Sequence, residues 1–334
     1  MRQVIIGILK NEPNIQVVGY ARNGEEALRK IAGLRPHVVT LDVEMPIMDG
    51  LTTLKVLMKE NPVPVVMLSA LTTAHADVTI RALELGAVDF ILKPAKREDI
   101  TELADVLPNK IRAAARAPVR QFCGDKSSRE IVPASFISTP KSGKVEIIAI
   151  GTSTGGPSAL QRVLTGLPGN LPAGIVIVQH MPRGFTAPLA KRLNQLSQLE
   201  IREAEPDDVI KPGLALIAPA GKQMVLVRQA GKVQVRLQEE ADINTLFKPS
   251  VDVLFLSVAK EYKARSLGVI LTGMGNDGVR GLTAIKEEGG RVLAQDEASC
   301  IVYGMPKAAV EKGVVDKVIP LSEMAKEIVE TVTK

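Results

Sequence analysis

The feature that most constrains the fold is a repeated alternation of apolar β-type runs with helical patterns. Between residues 15 and 94 the apolar runs are IQVVGY, HVVTLD, VPVVMLSA and VDFILKP, and amphipathic segments separate them. Such alternation predicts a parallel sheet with helices on both faces. The pattern restarts with VEIIAIG and continues through GIVIVQH, ALIAPA, SLGVILTG and RVLAQD, with a β-hairpin around Gln229, Ala230 and Gly231. We therefore expect an α/β protein with two doubly wound parallel-sheet domains.

A basic segment with four prolines, residues 108–143, separates the two patterns. Between Pro108 and Lys144 there are eight basic and two acidic residues, a local charge of +6 that leaves −1 for the rest of the +5 chain. Because the segment lacks a regular interleaving of aromatic residues, a solvated linker is favoured over a nucleic-acid-binding face. A chain of 334 residues is long enough for two domains. We place them at residues 1–107 and 144–334.

The sequence predicts a cytoplasmic protein that does not insert into a membrane. The first residues mix charges with a short apolar run and show no cleavage signal of small residues. No stretch reaches the roughly 18 uninterrupted apolar residues of a membrane span. Cys123 and Cys300 are too far apart in sequence to suggest a disulfide framework or a CxxC metal site, which fits a reducing compartment.

The segment Gly151-Thr152-Ser153-Thr154-Gly155 has the pattern of a nucleophile turn. It follows the strand VEIIAI and precedes a helical pattern, which is the context that a G-x-S-x-G turn requires. The free N–H groups at the start of that helix could bind a developing oxyanion. A phosphate-binding loop or a plain strand-to-helix turn is the alternative, although the glycine spacing fits neither G-x-G-x-x-G nor a Walker loop.

A base and an orienting acid for Ser153 are available at other strand ends. His180 ends the run GIVIVQ and is the one histidine of the second domain. Because the carboxyl ends of parallel strands share one edge of the sheet, we expect it near Ser153. Asp277, in the glycine-rich loop after GVILTG, is the expected carboxylate partner of His180. The competing carboxylates are Asp296, Asp207 and Asp208, and the alternative role of Asp277 is to cap the helix that begins near Gly278.

Three polar residues also end successive strands of the first domain. Asp42 ends HVVTL, Ser69 ends VVML, and Lys93 follows VDFIL. A carboxylate, a hydroxyl and an ammonium group at one sheet edge can form a phosphoryl-acceptor site, in which Lys93 and Ser69 contact phosphoryl oxygens. Lys93 could alternatively be an ordinary surface lysine.

Several stretches of the second domain carry a family resemblance. They are GTSTGGP at 151–157, QHMP at 179–182, GFT at 184–186, PSVD at 249–252 and LTGMGNDG at 271–278. Together they resemble the signature of the chemotaxis receptor methylesterases, the CheB family. The resemblance spans the whole second domain and, with the first domain, nearly the whole chain. It implies a Rossmann-like methylesterase domain.

The resemblance implies an activity and a role for each site residue. The activity is hydrolysis of glutamate methyl esters, and deamidation of glutamines, on chemoreceptors. Ser153 would be the nucleophile, His180 the base and Asp277 its orienter, with the N–H groups of Thr154 and Met274 as oxyanion donors. The reaction would be acyl transfer without a catalytic metal or cofactor.

The first domain resembles the response-regulator receiver, a flavodoxin-like fold. The matching residues are the D-x-E-M-P-x-M-D-G segment from Asp42, with L-S-A at Ser69 and L-K-P at Lys93. The resemblance implies that Asp42 is phosphorylated by the histidine kinase of a chemotaxis pathway. Ser69 would be the switch hydroxyl and Phe90 the switch aromatic. It also implies Mg²⁺, held by Asp42 and by an acidic pair at the end of the first strand.

That first strand is expected to be missing. Receivers have five strands in the order 2-1-3-4-5, whereas IQVVGY is the one strand predicted before Asp42 and the residues before it look helical. The acidic pair would be missing too, so Asp42 is expected to bind Mg²⁺ poorly. We expect a chain that begins late, through a misassigned start or a truncation.

A different class of function stays open at this stage. The chain could be a response regulator whose second domain is non-catalytic and binds a nucleotide or a nucleic acid. Ser153, His180 and Asp277 would then occur together by coincidence. An ester-hydrolysis assay on residues 144–334 separates the two classes.

Overall fold

A computed structural model of the chain describes residues 1–96, 99–117 and 145–333. The chain divides into two units, Met1–Ser135 and Phe136–Lys334. We call them the amino-terminal unit and the carboxyl-terminal unit. Each has its own parallel sheet, and the predicted α/β fold class is confirmed for both.

The amino-terminal unit has a three-stranded parallel sheet in the order β1-β2-β3. Asn23 begins α2 by accepting a hydrogen bond from the backbone of Glu26, and Asp49 begins α3 in the same way through Thr52. In chain order the elements are α1 (Arg2–Leu9), α2 (Gly24–Leu34), β1 (Val39–Asp42), α3 (Gly50–Glu60), β2 (Val65–Ser69), α4 (Thr73–Glu84), β3 (Asp89–Leu92) and α5 (Asp99–Arg116).

The strand predicted at IQVVGY does not form, so that prediction is wrong. Residues 15–20 contain no strand, and Val17, Val18 and Tyr20 are 40 to 55% exposed. The ring of Tyr20 lies beneath the cations of Arg2 and Lys30. A β-type run forms a strand only when a neighbouring strand accepts its hydrogen bonds and a core covers its side chains, and this run has neither among the described residues.

Helix α5 extends into the segment predicted as a linker. It runs from Asp99 through Pro108 to Arg116 and so continues past residue 107, where the first domain was predicted to end, and that boundary stays a prediction. Pro108 cannot donate a backbone hydrogen bond, but Leu103, Leu107 and Ile111 continue one buried face across it. Residues 118–144 lie outside the described residues. The other end of the linker, at residue 143, stays a prediction.

The carboxyl-terminal unit is built on a seven-stranded parallel sheet in the order β12-β11-β10-β4-β5-β7-β6. Its elements are β4 (Ile147–Thr152), α6 (Gly156–Leu164), β5 (Gly174–Gln179), α7 (Thr186–Leu196), β6 (Glu200–Glu203), β7 (Leu214–Ile217), β8 (Gln223–Gln229), β9 (Lys232–Gln238), α8 (Val251–Tyr262), β10 (Ser266–Ile270), α9 (Val279–Glu287), β11 (Arg291–Gln295), α10 (Met305–Glu311), β12 (Lys317–Ile319) and α11 (Leu321–Thr333). The central strands β4, β5 and β10 are buried along their whole length, which explains their uninterrupted apolar runs.

The predicted hairpin is confirmed. Strands β8 and β9 pair antiparallel, and Gln229 lies opposite Lys232. The two turn residues, Ala230 and Gly231, both have positive φ, at 48° and 79°. This geometry is typical of the tight turns whose twist matches that of the two strands. The hairpin packs against α8, which brings β8 close to the loop that precedes this helix.

No helix within residues 1–96, 99–117 and 145–333 combines the length and the apolar character that crossing a membrane requires.

Candidate active site

Ser153 lies in a sharp turn between the central strand β4 and the helix α6, as predicted. Its N–H donates to the carbonyl of Thr272, 3.0 Å away, in the loop after β10. A methyl group on Gly273 would come within 2.9 Å of the Ser153 Cβ, so only glycine lets the two loops approach this closely. Gly155, with φ of 77°, starts the helix. Ser153 is half-buried.

His180 is held beside that turn by the backbone. It directly follows β5, and its N–H donates to the carbonyl of Thr152 at 3.1 Å. The buried side-chain amide of Gln179 donates to the carbonyls of both Ser153 and His180, at 2.9 and 3.0 Å. The ends of β4 and β5 are therefore neighbours, as expected, and hydrogen bonds join the loops that follow them.

The carboxylate that binds His180 is that of Asp277. His180 Nε2 and Asp277 Oδ2 are 2.8 Å apart, and the two side chains are 10% and 4% exposed. The competing carboxylates have other partners. Asp296 bonds to Ser299, and Asp208 forms a two-pronged ion pair with Arg202. Asp207 contacts the side chain of Gln234.

Asp277 does not cap α9, which was its alternative role. The N-cap of that helix is Gly278. Instead, the Asp277 carboxylate lies at the start of α8, where it accepts hydrogen bonds from the Ser250 hydroxyl at 2.8 Å, the Val251 N–H at 2.7 Å and the Asp252 N–H at 3.0 Å. It therefore faces the positive end of the α8 dipole.

This environment keeps Asp277 ionised. Burial alone would raise the pKa of the Asp277 carboxyl, but the hydrogen bond from His180, the charge of that imidazole and the backbone N–H groups of α8 outweigh burial. The pKa of Asp277 consequently lies below its ordinary value. A carboxylate that stays charged can stabilise an imidazolium ion at His180.

The remaining ring nitrogen of His180 is the one available for proton transfer. Nδ1 is buried and has no hydrogen-bond partner among the described residues. In the chymotrypsin-type triad the acid binds the Nδ1 atom of the histidine, whereas here Asp277 binds Nε2. The ring of Phe247 stacks on the imidazole, with centroids 4.1 Å apart and planes 9° from parallel.

The two predicted oxyanion donors belong to the two loops that meet at Ser153: Thr154 directly follows Ser153, and Met274 follows Gly273, which packs against it. In the described part of the chain, the N–H groups of Thr154 and Met274 do not donate to a protein oxygen. The hydroxyl of Thr272 holds the first of these loops by donating to the carbonyl of Thr154 at 2.9 Å. Two free N–H groups near one nucleophile can bind the negative oxygen of a tetrahedral intermediate.

Three further residues of the site were not assigned a role from the sequence. Phe247 and Ser250, in the loop before α8, contact His180 and Asp277, and Gln223, on the hairpin, bonds to both of these loop residues. Ser250 belongs to the PSVD stretch, which carries the family resemblance but does not by itself indicate a role for the serine. Gln223 and Phe247 have no sequence signal, because their contacts are made only in the tertiary fold.

The receiver residues are brought together in part. Lys93 Nζ is 2.6 Å from Asp42 Oδ1, so the predicted carboxylate and ammonium group meet. Ser69 is buried and instead bonds to Thr79 and to the carbonyl of Ala70. Phe90 is 3% exposed. In the described residues no hydrogen bond joins Ser69 to Asp42.

The residues around Asp42 do not fit a Mg²⁺ site. Mg²⁺ requires an octahedral set of oxygen ligands. The neighbouring acidic groups have other partners, because Asp49 caps α3 and Glu44 pairs with His75 at 2.8 Å. Among the described residues no three His, Cys, Asp or Glu side chains gather as metal ligands. Asp42 therefore offers one carboxylate, which already binds Lys93.

Comparisons with known proteins agree with this geometry. The CheB methylesterase family matches residues 148–328, and the response regulator receiver domain family matches residues 1–105. A protein-glutamate methylesterase/protein-glutamine glutaminase of Moorella thermoacetica is 52% identical, over 99% of this chain and 96% of that protein. A protein of the same name from Pyrococcus horikoshii is 43% identical over 99% and 90%.

A solved structure is similar to the carboxyl-terminal unit. The CheB methylesterase catalytic domain of Thermotoga maritima is 44% identical, with a TM-score of 0.55, over 56% of this chain and 99% of that one. The alternative of a non-catalytic output domain is not favoured by these similarities. The chain belongs to the CheB methylesterase family, with a response regulator receiver domain ahead of the methylesterase domain.

Proposed function

We propose that the carboxyl-terminal unit hydrolyses glutamate methyl esters on chemoreceptors, and deamidates receptor glutamines, with Ser153, His180 and Asp277 as its catalytic residues. The observation that carries this proposal is the buried 2.8 Å bond between His180 and Asp277, beside the Ser153 turn. The names of the relatives from Moorella thermoacetica and Pyrococcus horikoshii supply the substrate class.

The reaction follows from the roles of these groups. Ser153 Oγ attacks the ester carbonyl while His180 Nδ1 takes the hydroxyl proton, and Asp277 stabilises the imidazolium ion. The N–H groups of Thr154 and Met274 bind the oxygen that becomes negative. The tetrahedral intermediate collapses, and methanol leaves with the proton from His180. Water then repeats the sequence on the acyl-enzyme and releases glutamate, and for glutamine the first leaving group is ammonia.

The amino-terminal unit supplies regulation in this proposal. A histidine kinase of the chemotaxis pathway phosphorylates Asp42, and Lys93 neutralises the added charge, which its 2.6 Å contact with Asp42 supports. Ser69 and Phe90 act as the switch hydroxyl and aromatic. Receivers in general use Mg²⁺ for this step. The protein works in the cytoplasm, on the chemoreceptor substrates, without nucleic acid and without entering the membrane.

The proposal is tested by methanol release from methylated chemoreceptors. Ser153→Ala or His180→Ala should abolish release, because each removes one member of a single proton-transfer unit. Asp277→Asn should leave more residual activity, because nucleophile and base remain. Ser197→Ala serves as the control, because the Ser197 hydroxyl bonds to the Leu164 carbonyl and the Leu199 N–H rather than to a proposed catalytic residue. A near-wild-type rate for folded Ser153→Ala would show that the assignment is wrong.

A further inference from the structure

One buried amide ties together the loop that precedes α8. Gln223, on β8, is 1% exposed. Its Nε2 donates to the carbonyl of Phe247 at 2.8 Å, and its Oε1 accepts from the N–H of Ser250 at 2.8 Å. The side chain thus satisfies one backbone group at each end of the segment 247–250. Since the Gln223 side chain and the Ser250 N–H are buried, loss of the bond between them would leave a buried polar group unpaired.

Each end of this segment contacts a different member of the proposed triad. At one end, the Phe247 ring covers a face of the His180 imidazole. At the other, the Ser250 hydroxyl donates to Asp277 Oδ1 at 2.8 Å, and Ser250 is 1% exposed. The position of the segment therefore determines both the stacking on the base and the orientation of the acid.

We infer that Gln223 and Ser250 are positioning residues of the active site: Gln223 fixes the segment 247–250, and Ser250 fixes the Asp277 carboxylate against His180. This inference rests on the proposed function for its effect on rate, but the geometry it describes is measurable without turnover. Asp277 Oδ2 bonds to His180 Nε2 and to the Val251 N–H, while the Ser250 hydroxyl and the Asp252 N–H hold Oδ1 and so help to fix the plane of the carboxylate.

The chemistry of the two side chains defines the informative variants. Gln223→Leu keeps the approximate volume and removes both hydrogen bonds, whereas Gln223→Glu keeps the acceptor and removes the donor to Phe247. Ser250→Ala removes the hydroxyl, and Ser250→Thr restores it. A matched control is Ser257→Ala, because the Ser257 hydroxyl also joins β8 to α8, through the Leu226 N–H at 2.9 Å, but does not contact the triad.

The first measurement separates kcat from KM for the full chain on methylated chemoreceptors. A hydrogen bond to a charged group is strong enough that losing it lowers the rate about tenfold or more, if the reaction needs that group in a fixed orientation. We expect Ser250→Ala and Gln223→Leu to lower kcat about tenfold with KM little changed. Ser250→Thr should recover most of the loss, and Ser257→Ala should keep the wild-type kcat.

The second measurement is proton NMR of the His180 ring N–H. The chain has three histidines, so the signal is assigned by its loss in His180→Ala. An N–H bonded to a buried carboxylate is shifted downfield and protected from exchange with water. We expect Ser250→Ala and Gln223→Leu to move or broaden this signal, and Ser257→Ala to leave it in place.

The outcomes distinguish this inference from the proposed function. An unmoved His180 signal in folded Ser250→Ala and Gln223→Leu, with kcat within twofold of wild type, overturns the inference and leaves the triad assignment intact. A moved signal supports the inference even if methanol release proves independent of Ser153. If Gln223→Leu does not fold, Ser250→Ala and its rescue by Ser250→Thr decide the question.

Discussion

The imidazole of His180 is constrained on one edge and on one face. Asp277 binds the edge through Nε2, and Phe247 covers the face, so Nδ1 is the nitrogen left for chemistry. The ring cannot flip without losing its bond to a buried carboxylate, which would leave that charge poorly compensated.

The ionisation of Asp277 should appear in the pH dependence of stability. Burial raises the pKa of Asp277, but its bonds to His180 and α8 outweigh burial and hold that pKa below the ordinary value of 3.8. A carboxyl whose folded-state pKa is depressed stabilises the fold above its ordinary pKa, and this stability is lost as pH falls through the folded-state value. We therefore expect the unfolding free energy to fall below about pH 4, and to fall less in Asp277→Asn.

The measurement is urea unfolding of both proteins at pH 7, 4 and 3, followed by circular dichroism. A tenfold change in the acid dissociation constant of one group is equivalent to about 1.4 kcal/mol, so a difference of that order between the two proteins is within reach of this method. The wild type should lose more unfolding free energy between pH 7 and pH 3 than Asp277→Asn. Parallel curves for the two proteins would contradict the depressed pKa of Asp277.

At the scale of elements, the start of α8 is held in place by its close packing on α9. A methyl group on Gly281 would lie 2.3 Å from the Phe255 Cβ and 3.2 Å from the carbonyl of Asp252. The N–H of Gly281 also donates to Asp252 Oδ1 at 2.8 Å. Because Gly281 has no side chain, α9 can pack closely on α8, the helix whose N-terminal N–H groups bind Asp277.

Gly281→Ala is expected to destabilise the carboxyl-terminal unit. Overpacking against backbone-fixed atoms costs about 1 to 3 kcal/mol, more than the roughly 1 kcal/mol that alanine gains in a helix. The comparison variant is Gly33→Ala in α2, where nothing lies within 4 Å of the added methyl group, and a small stabilisation of roughly 0.5 kcal/mol is expected. Differential scanning calorimetry of both variants measures the changes. Equal shifts in the two would contradict the packing argument.

The positions of the proposed catalytic residues at the ends of strands could be predicted from the sequence. Ser153, His180 and Asp277 each follow an uninterrupted apolar run, and parallel strands bring such positions to one edge. The same rule could not decide between Asp277 and Asp296, because both follow strands of the same sheet. The choice depends on hydrogen bonds between loops, which have no periodicity in sequence.

Other features depend on tertiary contacts that local patterns do not contain. IQVVGY has the composition of a strand but no partner to pair with among the described residues, and Pro108 has the character of a helix boundary but lies within one buried face of α5. Gln223 and Ser250 are 27 positions apart, and only the hairpin brings them together. Composition and spacing describe what a segment can form, whereas the neighbours decide what it does form.

At the scale of the whole molecule, the proposed catalytic residues all belong to one unit. A buried hydrophobic cluster in this unit draws its side chains from the seven-stranded sheet, the hairpin and the helices between residues 147 and 315. The amino-terminal unit contributes its own sheet and its own Asp42–Lys93 pair. Each unit therefore has a core of its own, as expected for a domain that can fold alone.

The isolated fragment 144–334 should consequently fold and hydrolyse the methyl ester. All five residues proposed for the chemistry, and Gln223 and Ser250 beside them, lie within it. The resemblance to the CheB family predicts that the receiver restrains the methylesterase domain until Asp42 is phosphorylated, so we expect the fragment to be at least as active as the full chain. The test compares kcat/KM of fragment and full chain on methylated chemoreceptors, with Ser153→Ala of the fragment as the control. A fragment that keeps its circular dichroism spectrum but reacts more slowly than the full chain would show that the amino-terminal unit assists catalysis rather than restraining it.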